Sequence, residues 1–497
     1  MHPLKQLAGQ TAVYGLGTIV PRLLNYLLVP LYTRIFFEAE YGIITELYAY
    51  IAFFFVLLLY GMETTFFRFA EKENDPVKIF STSLITVSAT SMLFVLLVVM
   101  FINPISFAIH YEDQKRLLIY SAIIVALDAF TAIQFAYLRQ QQKSLRFSLI
   151  KIVNVGVNVG MNLYYLLFCN SIYQTDPGSP WLILYNPDLK IEYVFISNLV
   201  ASLVSIVLLS PQLFRLGWKF DLHILRQMLR YTFPLLIVGL AGMINEVSDK
   251  IIFKYLVKIP EGTSDPQNYV LSQLGIYGAN FKLAVLMTIF IQMFRYAAEP
   301  FFFAQAKEAN AKTVYADVMK YFTIFGLIIF LAVTLYIDIF KYFIGPEYWE
   351  GLYIVPIVLM ANLLLGIFYN LSVWYKLNDI TKFGALIAVF GSLITIAVNF
   401  LLVPTFSYLG SALGHLICYI AMILLSYYLG KKYFPIDYHV GRIGFYFGLA
   451  IVLFFAGYLT DSLYENLRLV INSLFFLVFI VTAISLERKH FIKPKQN

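Results

Sequence analysis

Fourteen apolar segments follow one another along almost the whole chain. A transmembrane helix needs roughly 20 mostly apolar residues to cross a bilayer. The segments lie at about 11–33, 42–66, 79–102, 117–138, 147–168, 191–210, 232–257, 273–297, 321–340, 351–374, 383–403, 408–429, 441–459 and 466–486. The longest connections are 170–190 and 211–230. The sequence therefore predicts an all-α polytopic membrane protein with 14 transmembrane helices and no large soluble domain.

The composition agrees with a membrane protein. Only 13% of the residues are charged, against about 25% in soluble proteins, and the mean hydropathy is +0.75. Cys169 and Cys418 lie in or beside separate apolar segments, so we expect no metal site and no disulfide framework. The N-terminus lacks the compact pattern of a signal peptide, and we expect a retained first helix. The net charge of +7 is explained by the loops and does not require nucleic acid.

The lysine and arginine residues concentrate in alternate loops. The basic clusters are Arg139, Lys143 and Arg146; Arg215, Lys219, Arg226 and Arg230; Lys431, Lys432 and Arg442; and Arg488, Lys489, Lys493 and Lys495. The remaining loops carry acids instead, namely Glu38, Glu40, Glu112, Asp113, Asp176 and Asp188. Because cytoplasmic loops are enriched in Lys and Arg, both termini are predicted to be cytoplasmic, as an even number of spans requires.

A weak internal repeat relates the second segment to the eighth. Tyr41-Gly-Ile, followed by Glu63-Thr-Thr-Phe-Phe, resembles Leu274-Gly-Ile, followed by Glu299-Pro-Phe-Phe-Phe. Parallel repeats around a central cavity are a known transporter plan. We therefore predict an N-terminal six-helix lobe at 1–212, a cytoplasmic linker at 213–230, a second six-helix lobe at 231–430, and helices 13 and 14 with a basic tail at 431–497.

The seventh segment, Phe233–Leu256, combines an apolar composition with Glu246, Asp249, Lys250 and Lys254. Charges at membrane depth cost about 3 kcal/mol on insertion scales, so they are rare and usually functional. At 100° per residue Glu246, Lys250 and Lys254 share one face, and Glu246 precedes Lys250 by four residues, the favourable order for an ion pair. We expect this stripe to face other helices or water.

Three further segments carry ionisable residues at or near membrane depth. Arg22 follows Pro21 near the middle of the first segment and either lines a cavity or pairs with an acid that fixes packing. In the second segment Glu46 lies near the outer end, where it could simply sit in the interface, and Glu63 lies near the inner end. Asp128, near the centre of the fourth, is a candidate proton carrier or a structural acid.

The fifth and eighth segments show polar faces. Lys151, Asn154, Asn158, Asn162 and Tyr165 follow helical spacing in the fifth; these side chains either contact a sugar or bridge to neighbouring helices. The eighth contributes Lys282, which we expect to line a cavity. It also contributes Arg295 and Glu299, an i,i+4 pair.

Five cations thus lie at membrane depth. They are Arg22, Lys250, Lys254, Lys282 and Arg295. Several cations in one cavity suit an anionic substrate such as a pyrophosphate, because arginine and lysine both bind phosphate. The ion-coupling candidates among the acids are Asp128, Glu246, Asp249 and Glu63.

The sequence shows no ATP-binding Gly-x-x-x-x-Gly-Lys loop, no His-Glu-x-x-His and no Gly-x-Ser-x-Gly. We therefore expect a secondary transporter and not an enzyme, with no cofactor and no metal. Directional transport would then draw on an H⁺ or Na⁺ gradient or on removal of product.

Several short stretches resemble the polysaccharide-export flippases of the MATE-like (MOP) exporter superfamily. These are Pro30-Leu-Tyr-Thr-Arg-Ile-Phe, Glu40-Tyr-Gly, Gly61-Met-Glu-Thr-Thr-Phe-Phe-Arg-Phe, Tyr375-Lys-Leu-Asn-Asp-Ile-Thr-Lys, Asn399-Phe-Leu-Leu-Val-Pro and Leu409-Gly-Ser-Ala-Leu-Gly. The resemblance implies two six-helix bundles with helices 1, 2, 7 and 8 around a central cavity. It implies a flippase of undecaprenyl-pyrophosphate-linked oligosaccharide repeat units in the bacterial inner membrane, working by alternating access.

The product expected from this resemblance is a surface polysaccharide such as the O-antigen of lipopolysaccharide, a capsule or an exopolysaccharide. The expected partners are the lipid-linked substrate and, at the membrane, a polysaccharide polymerase and chain-length proteins. Two alternatives share the fold: a murein lipid-precursor flippase and a multidrug cation/drug antiporter. The buried cations argue against the antiporter, since organic cations favour acidic cavities. A membrane-embedded glycosyltransferase would need a larger extramembrane loop than about twenty residues.

Overall fold

In the computed structural model, residues 15, 17–72, 75–215, 219–306, 308–378, 380–460 and 464–492 are described, and they form helices and no strands. Eleven helical segments are long and apolar enough to cross a membrane, and the number rises to twelve if one bent pair counts as a single span. The protein is therefore a multi-span all-α membrane protein, as predicted.

The predicted count of fourteen spans stays a prediction. The eleven segments correspond in order to predicted segments two to six and nine to fourteen, and the bent pair corresponds to the eighth. The first predicted segment, 11–33, lies partly outside the described residues; 17–26 are helical and a turn follows at Leu27. The seventh is part of a helix of 35 residues, Leu222–Leu256, which is not among the eleven.

The chain divides into two compact units. The first comprises Met1–Tyr255 and Ile259–Gly275, and the second comprises Leu256–Lys258 and Ile276–Asn497. The first unit contains α1 (Leu28–Ile35), α2 (Glu38–Leu59), α3 (Met62–Lys72), α4 (Pro76–Met100), α5 (Ile102–Ala108), α6 (Lys115–Gln140), α7 (Ser144–Leu163), α8 (Asn170–Thr175), α9 (Glu192–Leu209), almost all of α10 (Leu222–Leu256) and the first part of α11 (Pro266–Lys282).

The second unit contains the rest of α11 and the following helices. These are α12 (Val285–Gln305), α13 (Ala311–Leu335), α14 (Ile337–Phe340), α15 (Val355–Leu371), α16 (Val373–Leu377), α17 (Lys382–Phe406), α18 (Tyr408–Tyr433), α19 (Val440–Tyr458) and α20 (Glu465–Ile492). Its core is built largely where α15, α16 and α18 meet around the buried indole of Trp374, whose Nε1 donates to Ser426 Oγ at 3.2 Å.

Helix α10 begins inside the predicted linker 213–230 and continues without interruption to Leu256. Asp221 starts it, because the Asp221 carboxylate accepts hydrogen bonds from the backbone N–H groups of His223 and Ile224 at 2.9 and 3.0 Å. Contacts place nearly the whole helix in the first unit. The predicted lobes were defined by a sequence repeat, whereas the two units are defined by contacts between residues. The predicted lobe boundaries therefore stay a prediction.

The glycines of the two repeated Gly-Ile motifs lie at one helix crossing within the first unit. A Cβ atom on Gly42 of α2 would overlap the carbonyl oxygen of Leu271 in α11. A Cβ atom on Gly275 of α11 would overlap the carbonyl oxygen of Glu38 in α2. Each glycine therefore packs against the residue four positions before the other, and the contact is reciprocal. Small residues allow such close approach of membrane helices.

Two breaks shape the repeated segments. Between α2 and α3, Gly61 has φ +79°, a left-handed conformation that glycine adopts without strain. Between α11 and α12 the axis bends by 50°. The N–H groups of Leu283 and Ala284 donate three residues back at this bend, and the buried Asn280 side chain donates to the carbonyl oxygen of Tyr348 at 2.8 Å. The predicted straight segment 273–297 is thus two helices.

Candidate functional site

The charged stripe of α10 is paired differently from the prediction. Lys250 Nζ lies 3.2 Å from a carboxylate oxygen of the fully buried Asp249, and it lies 3.4 Å from the backbone carbonyl oxygen of Glu246. The Glu246 side chain is exposed. The acid paired with Lys250 is therefore Asp249 and not Glu246. Burial explains the choice, because an ionised carboxylate in an apolar interior needs a counter-charge more than an exposed one does.

Lys254 forms a second buried ion pair within the first unit. Its Nζ lies 2.5 Å from Glu46 Oε1, and the two side chains are 7% and 0% exposed. Lys254 also donates to the carbonyl oxygen of Ile109 at 2.7 Å, and the Tyr111 hydroxyl donates to Glu46 Oε2 at 2.8 Å. Glu46 is thus a buried partner and not an interfacial acid, which corrects the simpler of the two predictions for it.

The two acids of the repeat motif occupy equivalent places in their units. Glu63 pairs with Arg139 at 2.6 Å, at the end of α6, which is the fourth predicted segment. Glu299 pairs with Lys376 at 2.6 Å, at the end of the tenth. The predicted Arg295–Glu299 pair is therefore wrong. Arg295 instead lies over the ring of Tyr369, 4.0 Å from its centroid. This correspondence supports the repeat beyond the short sequence match.

Arg22 and Lys282 are both exposed at interrupted helices. Arg22 lies in the helical stretch 17–26, before the turn at Leu27. Lys282 is the last residue of α11, directly before the 50° bend. Transporter binding sites are commonly formed by broken transmembrane helices, so these two positions fit the predicted role.

The asparagines of α7 bond to neighbouring helices. Asn154 donates to Ser205 Oγ and Asn158 to Asn25 Oδ1, both at 2.9 Å, while Tyr32 donates to Asn162 Oδ1 at 2.9 Å. These bonds support the alternative in which the stripe joins helices. The sugar-contact role stays a prediction.

Tyr165 belongs to a stack of tyrosines. It lies in a π-helical turn, Tyr164–Cys169, and its ring stacks on Tyr193 at 4.2 Å. Tyr193 stacks in turn on Tyr185 at 5.5 Å, in the connection 176–191. At least one face of the Tyr165 ring is therefore covered by protein, and the connection 176–191 is attached to α9 through this stack.

Asp128 lies on α6 and accepts a hydrogen bond from Ser202 Oγ of α9 at 2.9 Å. Lys151 does not form an ion pair with it in the described structure; its Nζ lies 4.1 Å from the ring centroid of Phe135. Asp128 thus has a neutral hydrogen-bond partner, Ser202. Its role as a proton carrier stays a prediction.

One buried charge cluster in the second unit was missed by sequence reasoning. Lys320 of α13 and Glu487 of α20 are 1% and 5% exposed, and Lys320 Nζ lies 2.7 Å from Glu487 Oε2. Tyr446 of α19 donates to Glu487 Oε1 at 2.9 Å. Both charges stand at the ends of predicted spans, where charged residues ordinarily face headgroups or water, so nothing in the pattern distinguishes them.

The family model described as polysaccharide biosynthesis protein matches residues 7–306. No curated protein matches significantly. Among solved structures, lipid II flippase MurJ in an inward closed conformation has a TM-score of 0.73 with 15% identity, covering 97% of this chain and 100% of that chain.

Two further structures have the same fold at lower similarity. An outward-facing multidrug-resistance MATE family transporter of the MOP superfamily has a TM-score of 0.54 and 13% identity, covering 87% of this chain and 96% of its own. A MOP superfamily transporter from Pyrococcus furiosus has a TM-score of 0.51 and 14% identity, with coverages of 85% and 94%. The predicted MATE-like fold is thus confirmed, and the matched residues show that the chain belongs to the polysaccharide biosynthesis protein family.

Proposed function

We propose that this protein is a flippase that moves lipid-linked oligosaccharide repeat units across the bacterial inner membrane for surface polysaccharide synthesis. The observation that carries the proposal is the match to a polysaccharide biosynthesis family over a chain built from membrane helices. Its membrane spans are joined by short connections, so the step that suits it is movement of a lipid-linked intermediate. The MOP fold, shared with transporters that move substrates across membranes, supports alternating access.

The substrate proposed is an undecaprenyl-pyrophosphate-linked unit, bound through Arg22, Lys250 and Lys282. The exposure of Arg22 and Lys282 and the 12% exposure of the Lys250 side chain support this role. Lys254 and Arg295 are engaged by Glu46 and by the Tyr369 ring, so they contribute only after rearrangement.

For coupling to H⁺ or Na⁺, the proposed carboxyl groups remain Asp128, Glu246, Asp249 and Glu63. Asp249 is the strongest of them. It is fully buried, and its carboxylate lies against Lys250, one of the cations proposed to bind the substrate. Partners such as a polymerase and chain-length proteins belong to the same proposal.

Reconstituted transport tests the function. Purified protein in liposomes should accelerate movement of a fluorescent polyprenyl-pyrophosphate oligosaccharide between leaflets, measured by access of the label to a membrane-impermeant quencher. Arg22→Ala, Lys250→Ala and Lys282→Ala should each lower the rate by tenfold or more, while Lys431→Ala, in a predicted cytoplasmic loop, should not. Unchanged rates in all three variants would refute the cationic site.

The same assay separates the alternatives. Comparable movement of a murein lipid precursor would favour that flippase, and proton-driven efflux of an organic cation would favour an antiporter. In a deletion strain, we expect undecaprenyl-linked repeat units to accumulate.

A further inference from the structure

An apolar cavity of about 480 Å³ lies within the first unit, between α2, α4, α5 and α6. Its walls include Leu47, Phe54, Phe94, Leu97 and Ala122. The rings of Phe54 and Phe94 contact each other, with centroids 5.1 Å apart. The volume lies in the range of about 300–1,000 Å³ that is typical of small-molecule sites. The cavity is thus large enough to bind part of an amphiphilic molecule.

The lining decides which kind of molecule fits. Of the fourteen lining residues only Tyr50 and Ser121 carry a side-chain polar group. A buried water needs two to four polar partners, so water is a poor occupant of such a space. Leu97, near the end of the span α4, and Phe101, directly after it, line the cavity and are 44% and 49% exposed. The hydrocarbon chain of a lipid is the apolar group that surrounds these helices.

A second cavity of about 250 Å³ adjoins the first, since Ile109 lines both. The second cavity is lined by Glu46, His110, Lys254 and Gln267 among others. A lysine ammonium has three N–H donors. One points to Glu46 and one to the Ile109 carbonyl oxygen, so the third can bind an oxygen of a molecule in the cavity.

We propose that the two cavities together bind one phospholipid, with an acyl chain in the apolar cavity and the phosphate headgroup beside Lys254. The volume matches one acyl chain better than the substrate's prenyl chain. At about 30 Å³ per methylene group, similar to the liquid volume of a water molecule, 480 Å³ holds roughly 16 carbons. An undecaprenyl chain is several times larger. The acyl-chain cavity is therefore distinct from the cationic site proposed for the lipid-linked sugar, although Lys254 belongs to both proposals.

Photo-crosslinking tests the chain site. The full-length protein is placed in phosphatidylcholine nanodiscs with a trace of phosphatidylglycerol that carries a diazirine at the end of one acyl chain. After illumination, adducts should concentrate on peptides containing Phe94–Phe101 and Leu118–Val125. An excess of unlabelled phosphatidylglycerol should reduce these adducts at least tenfold. Labelling that is not saturable, and is no denser there than on exposed faces of α17, would mean annular lipid only and overturn the proposal.

A cavity-filling variant and a matched control sharpen the result. Ala122→Leu should reduce labelling at these peptides at least fivefold, because its side chain extends into the cavity. Gly156→Leu adds a side chain where no atom lies within 4 Å and should leave labelling unchanged. Equal labelling of both variants would contradict the site. If Ala122→Leu does not fold, Ser121→Leu and the competition on the unaltered chain decide.

Two further experiments test the position of the headgroup and the identity of the bound lipid. The double variant Glu46→Gln, Lys254→Met, which leaves no carboxylate buried without its counter-charge, should abolish the preference for phosphatidylglycerol over phosphatidylcholine probes, and Lys254→Arg should retain it. An unchanged preference in the double variant would refute the headgroup position. A polyprenyl phosphate should not displace the probe; displacement as effective as that by phosphatidylglycerol would refute the acyl assignment. Transport of lipid-linked sugar is not measured here, so the outcome is independent of the proposed function.

Discussion

At the scale of single residues, burial requires certain charges in this protein to be paired. Lys254 and Glu46 are almost inaccessible and contact each other, whereas Arg22 and Glu246 are exposed. Taking a charge out of water is costly, and a single buried charge without its partner is the costliest arrangement. Sequence spacing identifies charges that can meet on one helix, but it does not reveal a partner on another helix.

Removing one member of the buried pair should therefore destabilise the first unit strongly. Lys254→Met leaves Glu46 buried without its counter-charge, and we expect a loss of about 3–5 kcal/mol. The double variant Glu46→Gln, Lys254→Met should recover much of this loss. Thermal unfolding in detergent measures both. Additive losses in the double variant would show that the two side chains are not coupled.

A second prediction for a single residue concerns the stability of the protein at acidic pH. The hydrogen bond from Lys78 to Asp221 lowers the pKa of the Asp221 carboxyl to about 2, and the two charges lie 2.5 Å apart. The ordinary pKa of Asp is about 3.9, so this group binds a proton more readily in the unfolded chain. Its contribution to stability is therefore complete above about pH 4 and is lost as the pH falls through about 2.

Asp221→Asn should remove that part of the pH dependence and lower stability at neutral pH. Midpoints of thermal unfolding between pH 2 and pH 6 measure it. Asp188→Asn, in the outer connection, is the control with no ion pair in the described structure. Parallel profiles for the Asp221 variant and the unaltered protein would contradict the assignment.

At the scale of helices, two breaks and one crossing shape the repeated segments. Gly42 and Gly275 hold α2 and α11 in contact through backbone atoms, which explains why both halves of the repeat carry Gly-Ile at this point. The sequence shows that the two motifs match. Only the three-dimensional structure shows why, namely that the two glycines contact each other's helices reciprocally.

Replacing either glycine should separate the two helices. Gly42→Val and Gly275→Val each place a side chain onto the opposing backbone, which cannot move aside as a flexible side chain could. We expect losses of stability of about 2 kcal/mol or more, in the upper range for overpacking. Gly156→Val has no atom within 4 Å of its new Cβ and is the matched control. Equal unfolding midpoints for the three variants would refute the close crossing.

At the scale of the whole molecule, the last two helices are joined to the second unit by a buried charge cluster. Glu487 of α20 meets Lys320 of α13 and Tyr446 of α19, so a single carboxylate connects three helices. Sequence reasoning treats α19 and α20 as additions after two six-helix lobes. The ion pair indicates that they fold as part of the unit that precedes them.

A substitution should show that the packing of α19 and α20 depends on the buried ion pair. Glu487→Gln removes the buried partner of Lys320, which keeps only the exposed Asp317 at 3.3 Å, and it should destabilise the second unit by about 1–3 kcal/mol. Glu192→Gln, in the first unit, has no ion pair in the described structure and is the control. Limited proteolysis of α19 and α20 should accelerate only in the Glu487 variant. Unchanged cleavage would show that the cluster does not hold these helices.

The sequence by itself determined the all-α membrane fold, the order of the spans and the family. These follow from apolar length and from the bilayer's demand that backbone groups bond within each helix, both of which are local properties. It also identified Lys250, Lys254, Asp249 and Glu63 as unusual. Only the tertiary structure decided that Asp249 pairs with Lys250, Glu46 with Lys254 and Glu299 with Lys376. Burial selects the first two pairs, and the third joins two helices that are distant in sequence, so spacing along one helix could not reveal them.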